Sequence, residues 1–224
     1  MKLTFLPLIL CAGLIAGKQA QAAPVALINS GFEANWTATG FVGADCCVTF
    51  NYAPTGPGLG WAFNPGSGVA GSYNALTAYE GSRFGLLQLG NPADPFGTSG
   101  NRISQSFSLG AASAVELSFA MALRPGYNSG QQIAVALDGQ LLQTFAATAG
   151  WSVKNLALGT LTSGSHVLSF AGTAAYATFG DTTAYLDAVQ LNAAPVPEPE
   201  TYAMLLAGLG LMSFAARRRA ASAR

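Results

Sequence analysis

The sequence predicts an all-β protein, an antiparallel β-sandwich followed by a C-terminal hydrophobic helix, from three observations. Short runs of large apolar residues repeat with the period of two that is typical of half-buried strands. The 27 glycines of the 224-residue chain are scattered between these runs, as in proteins with many turns between strands. No segment before residue 195 sustains a helical period, and no repeat of roughly 20–50 residues indicates a solenoid or propeller.

The individual strands follow from this alternation. The clearest strand covers residues 114–123, where Val115, Leu117 and Phe119 begin a set of large side chains on one face. Residues 133–137 repeat the pattern and end at Asp138-Gly139, a strong signal for a two-residue hairpin that returns through residues 140–146. The remaining strands are predicted at 25–29, 48–52, 83–89, 103–109, 151–158, 166–171 and 184–192.

Composition and charge exclude several classes of protein. Half of the residues are apolar and 9% are charged, which excludes a disordered charged chain. Ten basic and ten acidic residues cancel overall, but they are unevenly placed. Residues 23–194 contain eight acidic and four basic side chains. We therefore expect no nucleic-acid partner, because a mildly acidic domain is repelled by phosphates.

Residues 1–22 have the pattern of a secretory signal peptide. Lys2 gives a positive start, residues 3–16 are largely apolar, and Ala20-Gln21-Ala22 forms a small-x-small cleavage pattern. We expect export and a mature N-terminus at Ala23, with residues 23–194 as the β-sandwich domain. The alternative is an uncleaved anchor, which the short apolar segment disfavours.

Residues 195–224 form a tail with three parts in a fixed order. Pro197-Glu198-Pro199 is followed by residues 202–216, which carry no charge, and then by Arg217-Arg218-Arg219. A helix over those uncharged residues would span about 22 Å, short of the roughly 30 Å hydrocarbon core. Such a helix suits a temporary membrane anchor, with the arginines on the cytoplasmic side.

This tail resembles the PEP-CTERM sorting signal of Gram-negative bacteria. The resemblance implies cleavage near the motif by an exosortase, a membrane-embedded protease, after transient anchoring in the inner membrane. It also implies a final location at the cell surface or in an extracellular matrix of exopolysaccharide and biofilm. An ordinary C-terminal tail anchor is the alternative interpretation.

Four short motifs of the body occur in a characteristic order. They are residues 27–33 (Leu-Ile-Asn-Ser-Gly-Phe-Glu), 79–84 (Tyr-Glu-Gly-Ser-Arg-Phe), 103–107 and 184–191. In this order they resemble the galactose-binding-like jelly roll of many carbohydrate-binding modules. The resemblance covers roughly residues 25–192 and implies a β-sandwich, often with a structural calcium ion and often with a bound sugar.

The resemblance also implies which residues hold the calcium. The candidates are Glu33 and Asp187 through their side chains, and Gly31 and Arg83 through their carbonyl oxygens. Asp187 alternates in phase with Val189 on the last strand, and a carboxylate on a buried face is costly unless it is paired or bound to a metal. A salt bridge to Arg83 is the alternative.

No arrangement of residues predicts an enzyme. His166 is the sole histidine, and we expect a structural or exposed role because no nucleophile or carboxylate is placed with it. Cys46 and Cys47 are the only cysteines of the mature chain, since Cys11 leaves with the signal peptide. A strained disulfide between these neighbours, free thiols, and bridges to another chain all remain open.

Aromatic residues in loops are candidates for a sugar platform. Trp61 and Tyr127 lie among glycines or prolines and are the exposed candidates, although aromatic rings also fill sandwich cores. We therefore expect an exported, non-catalytic protein that binds exopolysaccharide or acts in adhesion and biofilm formation. The alternatives are a structural matrix protein without a saccharide site and, least favoured, a polysaccharide-acting hydrolase.

Overall fold

The computed structural model describes residues 21–36, 42–45, 48–71, 76–88, 90, 93, 95–96, 101–126, 130–174, 182–196 and 199–222. Thirteen strands and one helix lie in these residues. The strands are β1 (Ala23–Val25), β2 (Val42–Asp45), β3 (Val48–Tyr52), β4 (Ala62–Phe63), β5 (Ser67–Gly71), β6 (Arg83–Gln88), β7 (Arg102–Leu109), β8 (Ser113–Leu123), β9 (Gln132–Leu137), β10 (Gln140–Ala146), β11 (Ser152–Leu161), β12 (Gly164–Gly172) and β13 (Thr183–Pro195). The helix is α1 (Pro199–Ser222).

The strands form two antiparallel sheets packed face to face, so the predicted β-sandwich is confirmed. The larger sheet has the order β11-β8-β13-β6-β5-β3-β2, and the smaller one β10-β9-β12-β7-β4. Strand β13 pairs with β8 along one edge. Along its other edge it pairs first with β6 and then, towards its C-terminal end, with β1. The last strand is thereby central to the larger sheet.

The core lies between the sheets and follows the alternation seen in the sequence. Val115, Leu117 and Phe119 of β8 are at most 1% exposed and point towards the smaller sheet. The ring of Phe119 meets that of Phe170 on β12 with centroids 5.2 Å apart. Each such fully buried side chain stabilises the fold by about 1.5–3 kcal/mol.

A second, smaller apolar cluster covers part of the outer face of the larger sheet. Phe84 and Tyr185 lie at its centre, with ring centroids 4.6 Å apart. Leu76 from the segment before β6 packs onto them, and Trp151 contacts the ring of Phe84 at 5.6 Å. This part of the sheet is therefore buried on both faces, which explains why β6 is almost continuously apolar.

Some strand predictions were wrong. The first strand is Ala23–Val25, and not residues 25–29, because residues 28–31 form a turn. Strands β2, β4 and β5 were not anticipated. Strand β4 has two residues, and β5 is made of small residues whose faces do not differ in hydrophobicity. Their position is decided by pairing with neighbours rather than by their own pattern.

Helix α1 contains the uncharged residues of the tail and the three arginines that follow them. Its apolar side chains are exposed, among them Met204, Leu206 and Leu211. In the described part of the chain, no helix has the length and apolar character needed to cross a lipid bilayer. The transient membrane anchoring expected of this helix stays a prediction.

Candidate functional site

Two loops meet over an irregularity in β13, where the register shifts between Asp187 and Gln190. The first loop follows β1 and has left-handed backbone at Asn29 (φ 54°) and Phe32 (φ 61°). Its Ser30 carbonyl accepts a hydrogen bond of 3.2 Å from the amide of Val189. The second loop is residues 79–82, immediately before β6. The bulge itself contains Ala188 in left-handed conformation (φ 49°).

Asp187 lies beneath the second loop and is fully buried. Its Oδ2 accepts hydrogen bonds from the backbone amides of Tyr79 (2.9 Å) and Glu80 (3.1 Å). Its Oδ1 accepts one from the amide of Ala188 at 2.7 Å. The carboxylate therefore fixes the position of residues 79 and 80 relative to β13.

Burial dominates the electrostatics of Asp187. It raises the pKa of this carboxyl group from 3.8 to about 7, against the opposing effect of the three backbone hydrogen bonds. The nearby carboxylate of Glu80 raises the pKa further. Among the described residues, no positive charge thus compensates an ionised Asp187.

The bulge also changes the face on which Asp187 lies. Val189 points into the core, whereas Asp187 shares the outer face of the sheet with Tyr185. The predicted common phase of Asp187 and Val189 is therefore wrong, because the extra residue in the bulge reverses the alternation. Asp187 is nevertheless buried, since the second loop covers it.

Glu33 caps the same loop from the outside. Its Oε1 accepts hydrogen bonds from the amides of Ser82 (2.8 Å) and Arg83 (2.7 Å), and its Oε2 accepts one from the Ser82 hydroxyl (2.9 Å). The Arg83 guanidinium donates to the carbonyl oxygens of Glu33 (3.0 Å) and Ala34 (2.8 Å), and it stacks on Trp36 at 4.4 Å. Arg83 therefore clamps the first loop through its carbonyls and does not form the alternative salt bridge with either carboxylate.

Carboxylates border both of these loops. A Cβ atom added to Gly31 would lie 2.4 Å from a carboxylate oxygen of Glu80. A Cβ atom added to Gly81 would lie 2.4 Å from a carboxylate oxygen of Glu33. A carboxylate offers about four acceptor positions, and Glu33 and Asp187 each use three. Among the described residues, no three acidic, histidine or cysteine side chains are grouped to hold a metal ion. A calcium ion here would consequently need main-chain carbonyls and water as well.

Next to this loop pair, two aromatic rings lie at the surface of the larger sheet. Tyr79 is 48% exposed, and its ring meets the half-buried Trp151 edge-on, with centroids 6.1 Å apart. The Trp151 indole donates a 2.7 Å hydrogen bond to the carbonyl of Thr77. Both rings are thus held in place by the segment that Asp187 anchors.

Uncharged side chains extend outward from these rings along the same face. Trp151 immediately precedes β11, and Val153 and then Asn155 follow it on the outer side of that strand. Asn155 lies beside Ser118 of β8, which in turn lies beside Gln190 of β13. Asn155 and Gln190 are exposed. The face therefore joins an aromatic edge to a row of polar side chains.

The other predicted site residues have different outcomes. Trp61 is only 4% exposed, so its predicted exposure is wrong. Its ring stacks on Phe32 at 5.2 Å, and its indole donates to the carbonyl of Asn29 at 2.8 Å, which places it in the core. Residues Tyr127, Cys46, Cys47, Pro197 and Glu198 lie outside the described residues. Pro199 begins α1, and Arg217, Arg218 and Arg219 are exposed on its last turns.

His166 occupies a buried position at one end of the smaller sheet. Its Nδ1 lies 2.8 Å from Oδ2 of Asp138, and its Nε2 lies 3.0 Å from the carbonyl of Thr162. The hydrogen bond to Asp138 raises the pKa of His166. The structure thus places a carboxylate beside His166, contrary to the sequence-based expectation, and the pair ties the turn after β9 to β12.

Sequence reasoning missed Glu80 as a site residue, and among the aromatic residues considered for a sugar platform it selected Trp61 and Tyr127 rather than Tyr79 and Trp151. Glu80 stands in the motif that was identified before β6, but only backbone carbonyls were expected from it. The period of two along residues 151–155 puts Trp151, Val153 and Asn155 on one face. Which other strands supply that face could not be read from the sequence.

Comparison with known proteins identifies the tail and the fold. The model of the PEP-CTERM protein-sorting motif matches residues 195–219. A comparison with curated proteins finds no match. A cyclase from Fischerella sp. TAU has a similar structure, with a TM-score of 0.51 at 14% identity over 80% of this chain and 100% of that chain.

Carbohydrate-binding modules are also among the structural neighbours. TmCBM61, solved in complex with β-1,4-galactotriose, has a TM-score of 0.47 at 14% identity over 75% of this chain and 98% of that chain. The CBM22-1 xylan-binding domain of Paenibacillus barcinonensis Xyn10C has a TM-score of 0.42 at 18% identity over 72% and 99%. At such identities the similarity concerns the fold alone. The chain is thus an antiparallel β-sandwich that carries a PEP-CTERM protein-sorting motif at its C-terminal end.

Proposed function

We propose that this protein is exported, processed at its tail by an exosortase, and acts outside the cell as a non-catalytic saccharide-binding domain. The observation that carries the proposal is the joining of a PEP-CTERM motif to a β-sandwich with an exposed face of aromatic and amide side chains. Aromatic rings stack on the apolar faces of sugar rings, and amides bond to their hydroxyls. Adhesion within an exopolysaccharide matrix or biofilm is the role that such binding would serve.

Calcium belongs to this proposal as a structural ion. Glu33 and Asp187 would bind it through their carboxylates, and Gly31 and Arg83 through carbonyl oxygens. Hard oxygen donors of this kind suit calcium, and the ion would supply the positive charge that buried Asp187 lacks. Its effect is on stability, because an ion that binds only the folded chain shifts the folding equilibrium.

Fractionation of the producing cells tests the proposed function. Antibody detection should find the protein in the extracellular matrix, and mild periodate oxidation of the matrix polysaccharide should release it. Extraction with high salt should not release it, because the contacts are largely uncharged. Retention of the whole population in the inner membrane, or on a matrix stripped of polysaccharide, contradicts the proposal.

A further inference from the structure

We propose that the saccharide lies on the outer face of the larger sheet, along a platform formed by Tyr79, Trp151, Val153, Asn155 and Gln190. This assignment rests on the proposed saccharide-binding function and names its site and ligand class. The ligand is a chain of neutral pyranose sugars, with one sugar ring stacked on the aromatic edge and the next sugars over the amides.

The aromatic end of the platform is preorganised. Tyr79 and Trp151 stand at 65° to each other, so one ring can stack on a sugar while the other borders it. The Tyr79 backbone is held by Asp187 and the Trp151 indole by the Thr77 carbonyl, at 2.9 and 2.7 Å. Rings that are already fixed lose little conformational freedom on binding, which favours affinity.

Among the described aromatic residues of the sandwich, Tyr79 also has the best-exposed ring. In the part of the sandwich that the structure describes, the other exposed large apolar side chains are aliphatic: Ile28, Leu141, Leu142, Val153, Val167 and Val196. The exposed rings of Tyr202 and Phe214 belong to α1. Stacking on a sugar face requires an accessible ring, so the aromatic edge at Tyr79 is where a sugar would bind.

The polar end of the platform lies at a distance that suits an oligosaccharide. Trp151, immediately before β11, and Asn155 on β11 are four residues apart, which corresponds to about 13 Å at roughly 3.3 Å per residue of extended chain. Asn155 and Gln190 are two strands apart, or about 9.6 Å, with Ser118 between them. Each amide both donates and accepts hydrogen bonds, as sugar hydroxyls require. The platform thus offers contacts over several sugar units.

Charge selects the class of saccharide. Three rows of outward-facing residues run across β11, β8 and β13. In that strand order they are Val153, Ala120 and Asp187; then Asn155, Ser118 and Gln190; and then Ala157, Glu116 and Asn192. Asp187 is buried, which leaves Glu116 as the exposed charge among these nine residues. None of these nine residues is basic, so an anionic polysaccharide would find no positive partner in these three rows and would be repelled by Glu116. A neutral chain meets no such penalty.

Affinity electrophoresis of the exported protein tests the assignment. Gels would contain the neutral polysaccharides xylan, galactan or dextran, with alginate as the anionic comparison. Tyr79→Ala and Asn155→Ala should each weaken the binding of the retarding neutral polysaccharide by roughly tenfold or more. Leu141→Ala, which removes a side chain that is 56% exposed on the smaller sheet, should bind as the wild type does.

The outcomes separate this assignment from the function on which it rests. Wild-type retardation by a neutral polysaccharide, lost in Tyr79→Ala and Asn155→Ala with unchanged thermal unfolding, supports the platform. If the wild type is retarded and both variants are retarded equally, the platform is wrong and saccharide binding stands. If alginate alone retards the wild type, the neutral ligand class is wrong. If no polysaccharide retards the wild type, both the platform and the proposed saccharide-binding function are wrong.

Discussion

Asp187 should make the folded protein more stable in mild acid than at alkaline pH when calcium is removed. Its pKa is about 7 in the folded chain against 3.8 without burial. The folded chain therefore binds this proton more tightly than the unfolded chain does. The free energy of unfolding consequently falls as pH rises from about 4 to about 7 and is constant above that range.

The size of this effect follows from the pKa. Each pH unit between the two pKa values changes the free energy of unfolding by about 1.4 kcal/mol. The whole effect is about 4 kcal/mol, of which about 3 kcal/mol falls between pH 5 and pH 8. Denaturant unfolding in chelator, followed by tryptophan fluorescence at these two pH values, measures the difference.

Asp187→Asn is the matched comparison, because it keeps the shape of the side chain and cannot titrate. Its unfolding free energy should lack the change of about 3 kcal/mol. His166 and Asp138 titrate in both proteins, so their contributions cancel when the two pH profiles are subtracted. Glu80→Gln should reduce the change in part, because it removes the negative charge beside Asp187. Equal pH profiles for wild type and Asp187→Asn would refute the reasoning.

Three further predictions follow from the same structure. Chelator should lower the Tm of the wild type but not of the double variant Glu33→Gln/Asp187→Asn, and metal analysis should find calcium in the untreated wild type. An unchanged Tm together with no detectable calcium would contradict the proposed calcium site. Trp61→Ala should cost about 3–5 kcal/mol of stability in denaturant unfolding, because it empties a core position; a loss below about 1 kcal/mol would contradict its burial. Intact-mass analysis from the producing cells should give a chain from Ala23 to the segment 197–199, and full-length protein in the inner membrane would overturn the processing.

The sequence predicted the architecture wherever its pattern was strong. Strands β8, β9 and β10 were found because large side chains alternate along β8 and β9, and a two-residue turn joins β9 to β10. Strand β5 was missed because Ser67, Gly68 and Gly71 give no difference between its faces. The position of β5 is set by its pairing with Phe84 and Leu86 of β6. The local sequence of β5 does not indicate this pairing.

The candidate site was predicted in part, for a comparable reason. Glu33 and Asp187 were identified from motifs, and the structure brings both to the second loop (residues 79–82) and the start of β6. The face of Asp187 was misjudged because a bulge adds one residue, and a bulge has no reliable signature in a single sequence. Trp61 was misplaced because flanking glycines indicate a loop but do not tell whether a ring in that loop points inward. The platform joins residues more than 70 positions apart, and only the sheet order unites them.

Binding of the purified exported protein to exopolysaccharide from its own producing cells tests the central claim most directly. The measurement is a titration of deproteinised exopolysaccharide into the protein in a calorimeter at pH 7.5 with calcium present. Saccharide binding predicts a saturable signal that Tyr79→Ala weakens and Leu141→Ala does not. The absence of any signal from a folded wild-type protein would contradict the claim and leave a structural matrix protein in its place.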